Sequence, residues 1–307
     1  LPEAIDLSIK NSKQLKLSKA KIDEAVAAAT EAEEARLPDA SISGSYLRVT
    51  KPDLKIKTGG SDSSGGFASP AINQALYGSA NVSFPIYAGS KIKYGVESAK
   101  YLEQATRLDA ENDKQEIILN TIAAYINLYK ANVSAKLVAE NLEQSRKRDT
   151  DFISLEKNGL LARNDLLKSQ LQTSNYELAL VDAQNSIQLA TVNMNLMLGL
   201  PETTTLKLDS ASILQSAKPA EVKTIEEYEA LAAQNRNDMQ ALGYRQKAAD
   251  AAIKIAKGDY YPSLALTGGY IAADVPGFLT ITNAITVGVG VKYNLSSLWK
   301  TKSKVQQ

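Results

Sequence analysis

The chain contains no cysteine and no histidine. Those two absences remove disulfides, thiol nucleophiles, histidine-based triads, Fe–S clusters and zinc sites built on His or Cys. An excess of charge of either sign is missing too. The 35 Lys and Arg stand against 34 Asp and Glu, a formal net charge of +1, so bulk charge gives no reason to expect nucleic acid or an acidic partner. No run of about 18 apolar residues occurs, which excludes a membrane-spanning helix, and Leu1 to Lys10 lack the charged and apolar regions of a signal peptide. A membrane β-barrel survives these exclusions, because its strands are short alternating segments whose individual signal is weak. Cysteine avoidance fits an oxidising compartment. At 307 residues the chain is long enough for one large or two ordinary domains.

Helix breakers are scarce over a long central stretch. No proline lies between Pro85 and Pro201, and glycine there is confined to Gly89, Gly95, Gly159 and Gly199. The pattern predicts helices over 90–157 and 162–198, joined by a turn at Lys157-Asn158-Gly159-Leu160. The first would extend roughly 100 Å at 1.5 Å per residue, so something must pack along it. Leu119, Ile122, Ile126, Tyr129 and Val133 alternate in steps of three and four, as do Leu167, Leu171, Ser174, Leu178 and Val181. A heptad seam on each arm of one turn predicts an antiparallel coiled-coil hairpin over 90–198. Asn164 or Asp165 is expected to cap the second arm, and Gly199 followed by Pro201 to stop it.

Elsewhere the period changes to two. Leu76, Gly78, Ala80, Val82, Phe84 and Ile86 alternate with Tyr77, Ser79, Asn81, Ser83 and Pro85, giving one apolar face and one mostly small and polar. Ile285, Val287, Val289, Val291, Tyr293 and Leu295 alternate in the same way with Thr286, Gly288, Gly290, Lys292 and Asn294. Strands are therefore expected at 76–87 and 284–295, with weaker versions at 38–49 and 262–273. Thr58 to Gly66 reads as a loop between the first pair. Asp274, Pro276 and Gly277 read as the hairpin turn of the second.

The two strand pairs are related. Leu37-Pro38-Asp39-Ala40-Ser41-Ile42-Ser43-Gly44-Ser45-Tyr46 aligns without a gap on Tyr261-Pro262-Ser263-Leu264-Ala265-Leu266-Thr267-Gly268-Gly269-Tyr270 at an offset of 224, and the same offset brings Glu3–Ala35 onto Glu227–Asp259. The expected organisation is a first repeat at 1–199, a linking segment at 200–224, and a second repeat at 225–307. The second repeat stops where its own hairpin is expected to begin, so a fragment is expected.

Four such strands cannot close a barrel, which needs about eight, and open edges in lipid leave backbone groups unpaired. Strands that cross a bilayer must then come from several copies, eight from a dimer or twelve from a trimer. Tyr46, Tyr77, Phe84, Tyr87, Tyr270, Tyr293 and Trp299 lie on or beside the strands, as an interfacial girdle would. Catalytic chemistry is not legible. Gly288-Val289-Gly290 begins like a dinucleotide fingerprint but has Tyr293 at the third glycine position, and Asp109, Glu111 and Asp113 sit on a helix surface without a pocket. Arg146-Lys147-Arg148 and Glu31, Glu33 and Glu34 read as solvated faces. No enzyme activity, cofactor, metal or nucleic-acid partner is expected.

In this order, the punctuation resembles the TolC-like outer-membrane efflux family over essentially the whole chain. It includes the opening Leu1-Pro2-Glu3-Ala4-Ile5-Asp6-Leu7-Ser8-Ile9-Lys10-Asn11-Ser12, Ala35-Arg36-Leu37-Pro38 before a strand, and Phe84-Pro85-Ile86-Tyr87-Ala88-Gly89 after one. Asn195-Leu196-Met197-Leu198-Gly199-Leu200 closes the hairpin. The resemblance implies a mainly α protein with membrane β, in which four β-strands and a long α-helical coiled-coil hairpin per protomer build a homotrimer with a twelve-stranded barrel and a periplasmic α-helical tunnel. It implies residence in the outer membrane of a Gram-negative bacterium, a removed signal peptide, and an export duct of a tripartite efflux or type I secretion system. A periplasmic adaptor protein and an inner-membrane pump are the implied partners, beside outer-membrane lipid.

The family's hairpin tip docks the adaptor. The matching run here is Asn158, Gly159, Leu160, Leu161, Ala162, Arg163, Asn164 and Asp165, with Asn164 where the family usually has Thr. The lipid-facing residues are expected to be Leu76, Val82, Phe84, Ile285, Val287, Val289 and Val291. The competing function is a non-channel periplasmic or surface scaffold, with the hairpin as a partner-binding coiled coil and the strands as a small soluble sheet.

Overall fold

A computed structural model of the chain describes residues 1–48, 73–209, 223–276 and 279–296, together with 301 and 305. The loop expected at Thr58 to Gly66, Gly277 of the second turn and Trp299 of the aromatic set lie outside the described residues. Ten elements follow in order: α1 (Pro2–Asn11), α2 (Lys13–Glu34), β1 (Asp39–Arg48), β2 (Gln74–Tyr87), α3 (Lys91–Lys157), α4 (Arg163–Leu198), α5 (Ile225–Asn235), α6 (Asn237–Gly258), β3 (Ser263–Val275) and β4 (Leu279–Lys292). An offset of 224 carries both ends of α2 onto those of α6 and the start of β1 onto that of β3. Among the described residues, no helix is long and apolar enough to cross a membrane.

The strands form one antiparallel sheet in the order β1-β2-β3-β4. Strand β4 begins at Leu279, earlier than its alternation indicates, and ends at Lys292, so Tyr293 and Leu295 lie beyond it. The cause is local: the Asn294 side-chain oxygen accepts hydrogen bonds from the Ser296 amide (3.2 Å) and hydroxyl (2.8 Å), turning the chain away from the ladder. In β2 the register shifts between Pro85 and Tyr87. Pro85 has no N–H to give the ladder, and the bulge skips Ile86 and pairs Tyr87 with Leu264.

The chain divides into two compact units. The first comprises Leu1–Ile22 and Thr106–Ala241. Its core is Ala124, Tyr125, Leu128, Met194 and Leu198, with Ala4 and Leu7 of α1 packed against it. Helix α4 ends in a left-handed glycine, Gly199 (φ +67), with Leu200 N–H bonded to Asn195 O at 2.8 Å and Gly199 N–H to Leu196 O at 3.2 Å. A side chain at Gly199 would put its Cβ 2.7 Å from that of Asn11, whose amide donates to Leu198 O at 2.7 Å. The end of α1 is thereby fixed to the end of α4.

The hairpin forms, but its seam does not use the leucine stripe predicted above. Leu119, Val133, Leu167, Leu171, Leu178 and Val181 are exposed, Leu171 to 65%. The buried positions include Thr121, Ala124, Leu128, Ala135, Leu142 and Ser145 on α3, and Leu166, Ser169, Thr173 and Met194 on α4. This stripe keeps the three-and-four alternation two residues out of phase with the predicted one on α3. Small and hydroxyl side chains let the arms approach and satisfy one another there. The larger apolar stripe is left on an outer face.

The second unit comprises Asp23–Ala105 and Leu242–Gln307. Here the start of α3 packs against α6 through Val96, Ala105, Ala248 and Ala251. Ser98 donates to Ala248 O at 3.1 Å, and Lys91 pairs with Asp259 at 2.9 Å. Lys254 lies 5.2 Å from the Tyr94 ring centre and Lys247 6.0 Å from that of Tyr101, two rungs one heptad apart. The carboxylate of Glu97 accepts from the Tyr101 hydroxyl at 3.0 Å, and that hydrogen bond and charge push the Tyr101 pKa up. Gly89 (φ +61) begins the turn from β2 into α3 and lies so close to Gly258 that a Cβ would collide with the Gly258 carbonyl.

Candidate functional site

Two surfaces hold the residues singled out from the sequence. The first is the sheet. Residues paired across a ladder share a face, so Ile42, Ala80, Tyr270 and Ile285 form one row across all four strands. Ala40, Val82, Gly268 and Val287 form the next row, and Phe84, Leu266 and Val289 the one after, followed by Tyr87, Leu264 and Val291. Leu76 lies across from Tyr46 on the same face. The seven strand residues expected on one apolar face, Leu76, Val82, Phe84, Ile285, Val287, Val289 and Val291, are thus brought together. All are exposed, Ile285 to 74%, and its row-mate Ile42 reaches 90%. Tyr46, Tyr270, Phe84 and Tyr87 share this face, whereas Tyr77, paired with Ser45, is on the other.

The opposite face is polar and built from small residues over the rows of Asp39 and Ser41, with Ile271, Tyr77 and Leu47 further along it. Ser41, Asn81, Gly269 and Thr286 make a complete row, as do Asp39, Ser83, Thr267 and Gly288. Ser43 and Ser79 share a hydroxyl hydrogen bond of 2.8 Å, and the Asn81 amide donates to Ser79 Oγ at 3.2 Å. Side chains crowd on this face, and Ser79 is only 6% exposed. The row through Ser41 was not picked out from the sequence. Its signal was available in the serine at every second position of β1.

The second surface is the hairpin tip. Leu160 N–H bonds Leu155 O and Gly159 N–H bonds Glu156 O, both at 2.9 Å, with Gly159 at φ +71. This is a helix stop of the kind glycine makes cheaply. The cap of α4 is Ala162, with no side-chain cap bond, so neither Asn164 nor Asp165 caps the second arm. Both lie inside the first turn, where the Asp165 carboxylate meets the positive helix end and Lys168 Nζ at 3.3 Å. Asn158 donates to Ser154 O at 2.7 Å and Arg163 reaches Glu156 at 3.5 Å. Leu160 is 74% exposed, Leu161 is half-buried, and Leu166 just inside the arm is buried.

Above the tip, a polar layer interrupts the seam. Asp149 accepts hydrogen bonds from the Ser169 hydroxyl and, at 2.6 Å, from the Thr173 hydroxyl. Ser145 bonds Thr173 at 2.8 Å and accepts from Arg148 at 3.1 Å. Outside the seam, Arg146 pairs with Glu177 and Lys147 with Glu143, each at 2.8 Å. The hydrogen bond and charge of Lys147 hold the Glu143 carboxyl below its ordinary range, and those of Glu143 push the Lys147 ammonium up in turn. Among the described residues, no group of three or more Asp or Glu could hold a metal ion.

A four-stranded antiparallel sheet with one apolar and one hydroxyl face, entered and left by long helices, defines the protomer fold of outer-membrane channels. The chain belongs to the outer membrane efflux protein family, whose model matches residues 4–200. Its fold is that of the outer-membrane channel OprN (TM-score 0.77, 18% identity, 99% of this chain and 66% of that one). It is likewise that of VceC from Vibrio cholerae (0.73, 18%, 99% and 72%) and of the Campylobacter jejuni CmeC outer membrane channel (0.77, 18%, 99% and 63%). The chain spans about two-thirds of the length of these channels. No curated protein sequence matches it.

Proposed function

We propose that the protein is the outer-membrane duct of a tripartite efflux or type I secretion system, passing small molecules or proteins outward without catalysing a reaction. Three copies supply twelve strands, enough to close a barrel. The exposed leucine stripe of the hairpin, Leu119, Leu171 and Leu178 among it, gives neighbouring copies an apolar surface to pack on. The hairpin tip from Asn158 to Asp165 meets a periplasmic adaptor, which links the duct to an inner-membrane pump. The 224-residue offset marks two repeats, 1–199 and 225–307, joined by 200–224. The observation that carries the reading is the apolar sheet face, uncharged from the row of Phe84 and Val289 to that of Ile42 and Ile285, with Ile42, Val82, Phe84, Ile285, Val287 and Val289 exposed in one copy. It faces lipid, and the hydroxyl face lines the lumen. A scaffold with a soluble sheet would have no need of either.

Ile42→Arg together with Ile285→Arg tests this. Each places a charge within the apolar belt at a cost of about 2–4 kcal/mol near the bilayer midplane. The double variant is expected to disappear from the outer-membrane fraction, with Ser43→Arg and Thr286→Arg on the other face still inserted. Normal membrane assembly of the Ile42/Ile285 variant would favour the scaffold.

A further inference from the structure

The two strand pairs are copies of one another, so the ladders inside one copy dictate which residues can meet between copies. Gly44 and Gly268 are repeat-mates at the 224 offset, and they pair with Gly78 and Val287 respectively. Gly78 and Val287 therefore correspond, which places β2 on β4 at an offset of 209. The sequence agrees. At that offset Ala75 falls on Ala284, Leu76 on Ile285, Val82 on Val291, Phe84 on Tyr293 and Ile86 on Leu295. The β2–β3 ladder is then the junction between one repeat and the next. The matching junction on the far side of each repeat is open, because β4 and β1 are the two edges of the sheet. Edges left open in lipid would hold unpaired backbone groups.

We propose that β4 of one copy pairs antiparallel with β1 of the next in the register of the β2–β3 ladder. The proposal rests on the channel reading, since it needs the sheet edges of neighbouring copies to meet. Val82–Gly268 becomes Val291–Gly44, and Ala80–Tyr270 becomes Val289–Tyr46. Asn81–Gly269 becomes Gly290–Ser45, and Ser79–Ile271 becomes Gly288–Leu47. Two features that played no part in deriving this register fit it. Gly44 and Tyr46 belong to the apolar face with Val289 and Val291, and Ser45 and Leu47 to the other with Gly288 and Gly290, so both faces continue across the seam. A slip of one residue would exchange them. The tightest pair also keeps a glycine: a Cβ at Gly269 would stand 3.2 Å from Asn81 Oδ1, and across the seam Gly290 leaves the room for Ser45. Arg48 comes opposite Val287 at the end of β1, and its side chain is long enough to extend toward the membrane surface.

The chain has no cysteine, so paired thiols report only this seam. Cysteine is placed at Ser45 or Leu47 on β1 and at Gly288 or Gly290 on β4, in all four combinations, on the face that the channel reading gives to water. A Cβ at either glycine meets nothing closer than 3.8 Å. Ser45→Cys with Gly290→Cys, and Leu47→Cys with Gly288→Cys, bring Cα atoms to about 4.5–5.5 Å, within disulfide reach. Ser45→Cys with Gly288→Cys, and Leu47→Cys with Gly290→Cys, are slipped by two residues to about 7–8 Å, beyond it. Strands β2 and β3 separate β1 from β4 within a copy, so any such disulfide joins two copies. The same four substitutions make up both classes, and a folding defect cannot separate them. After oxidation of the membrane-inserted protein, the two registered pairs are expected to run as covalent trimers on a denaturing, non-reducing gel and the two slipped pairs as monomers. Slipped pairs that cross-link as fully as the registered ones, or no cross-linking in any pair, overturn the register. The channel reading survives that result if the unsubstituted protein is a trimer in detergent by light scattering, and falls with the register if it is a monomer.

Discussion

Asp149 shows why the seam could not be read from leucines. In a coiled coil an apolar stripe is expected to face the partner arm, but here the partner-facing positions include Thr121, Ser145, Ser169 and Thr173. These hydroxyls are tolerated because they bond along or across the hairpin: Thr121 donates to Ile117 O at 2.7 Å, and the other three join the Asp149 layer. The choice between two stripes of equal period depended on which side chains had partners across the seam, and spacing carries no such information. Asp149→Ala leaves two hydroxyls without their acceptor and is expected to destabilise the hairpin by about 1–3 kcal/mol. Arg146→Ala, which removes an exposed ion pair, should change stability by less than about 1 kcal/mol. Hydrogen exchange of the amides around Ser145 and Thr173 measures both. Equal protection in the two variants would show the layer to be energetically idle.

Single elements were more legible. Helices α3 and α4 begin and end within a residue of the positions that proline and glycine spacing predicts, because a missing breaker is a local property. The hairpin turn was legible for the same reason, as Gly159 does adopt the left-handed conformation. The cap at Asn164 or Asp165 failed because the cap position falls two residues before Asn164, at Ala162, and the helix starts at Arg163. The last residue of β4 was missed because an Asn294 turn, and not the alternation, terminates the strand. The bulge at Pro85 moves Tyr87 onto the apolar face, a shift the period of two cannot reveal.

As an element, the tip presents exposed Leu160 beside the charged pairs Arg163–Glu156 and Asp165–Lys168, which the proposed function gives to an adaptor. Gly159→Trp and Asp165→Arg are each expected to reduce adaptor cross-linking at least several-fold while the copies still assemble. Nothing lies within 4 Å of a Cβ at Gly159, so the former acts through bulk at the surface and backbone strain rather than through the core. Undiminished cross-linking in both would remove the tip from the docking surface.

At the scale of the molecule, one copy exposes two apolar surfaces that have no place in water together, the sheet face around Ile42 and Ile285 and the hairpin stripe through Leu171 and Leu178. In the proposed channel, lipid covers the first and other copies cover the second. The sheet's faces were legible in advance because alternation assigns a face to every strand residue at once. The count of copies was not, since a closed barrel is a property of the assembly. The most direct measurement is therefore the mass of the purified protein, by light scattering, in detergent and in detergent-free buffer. A trimer that holds together only in detergent is the predicted result, and a soluble monomer without detergent would contradict the account.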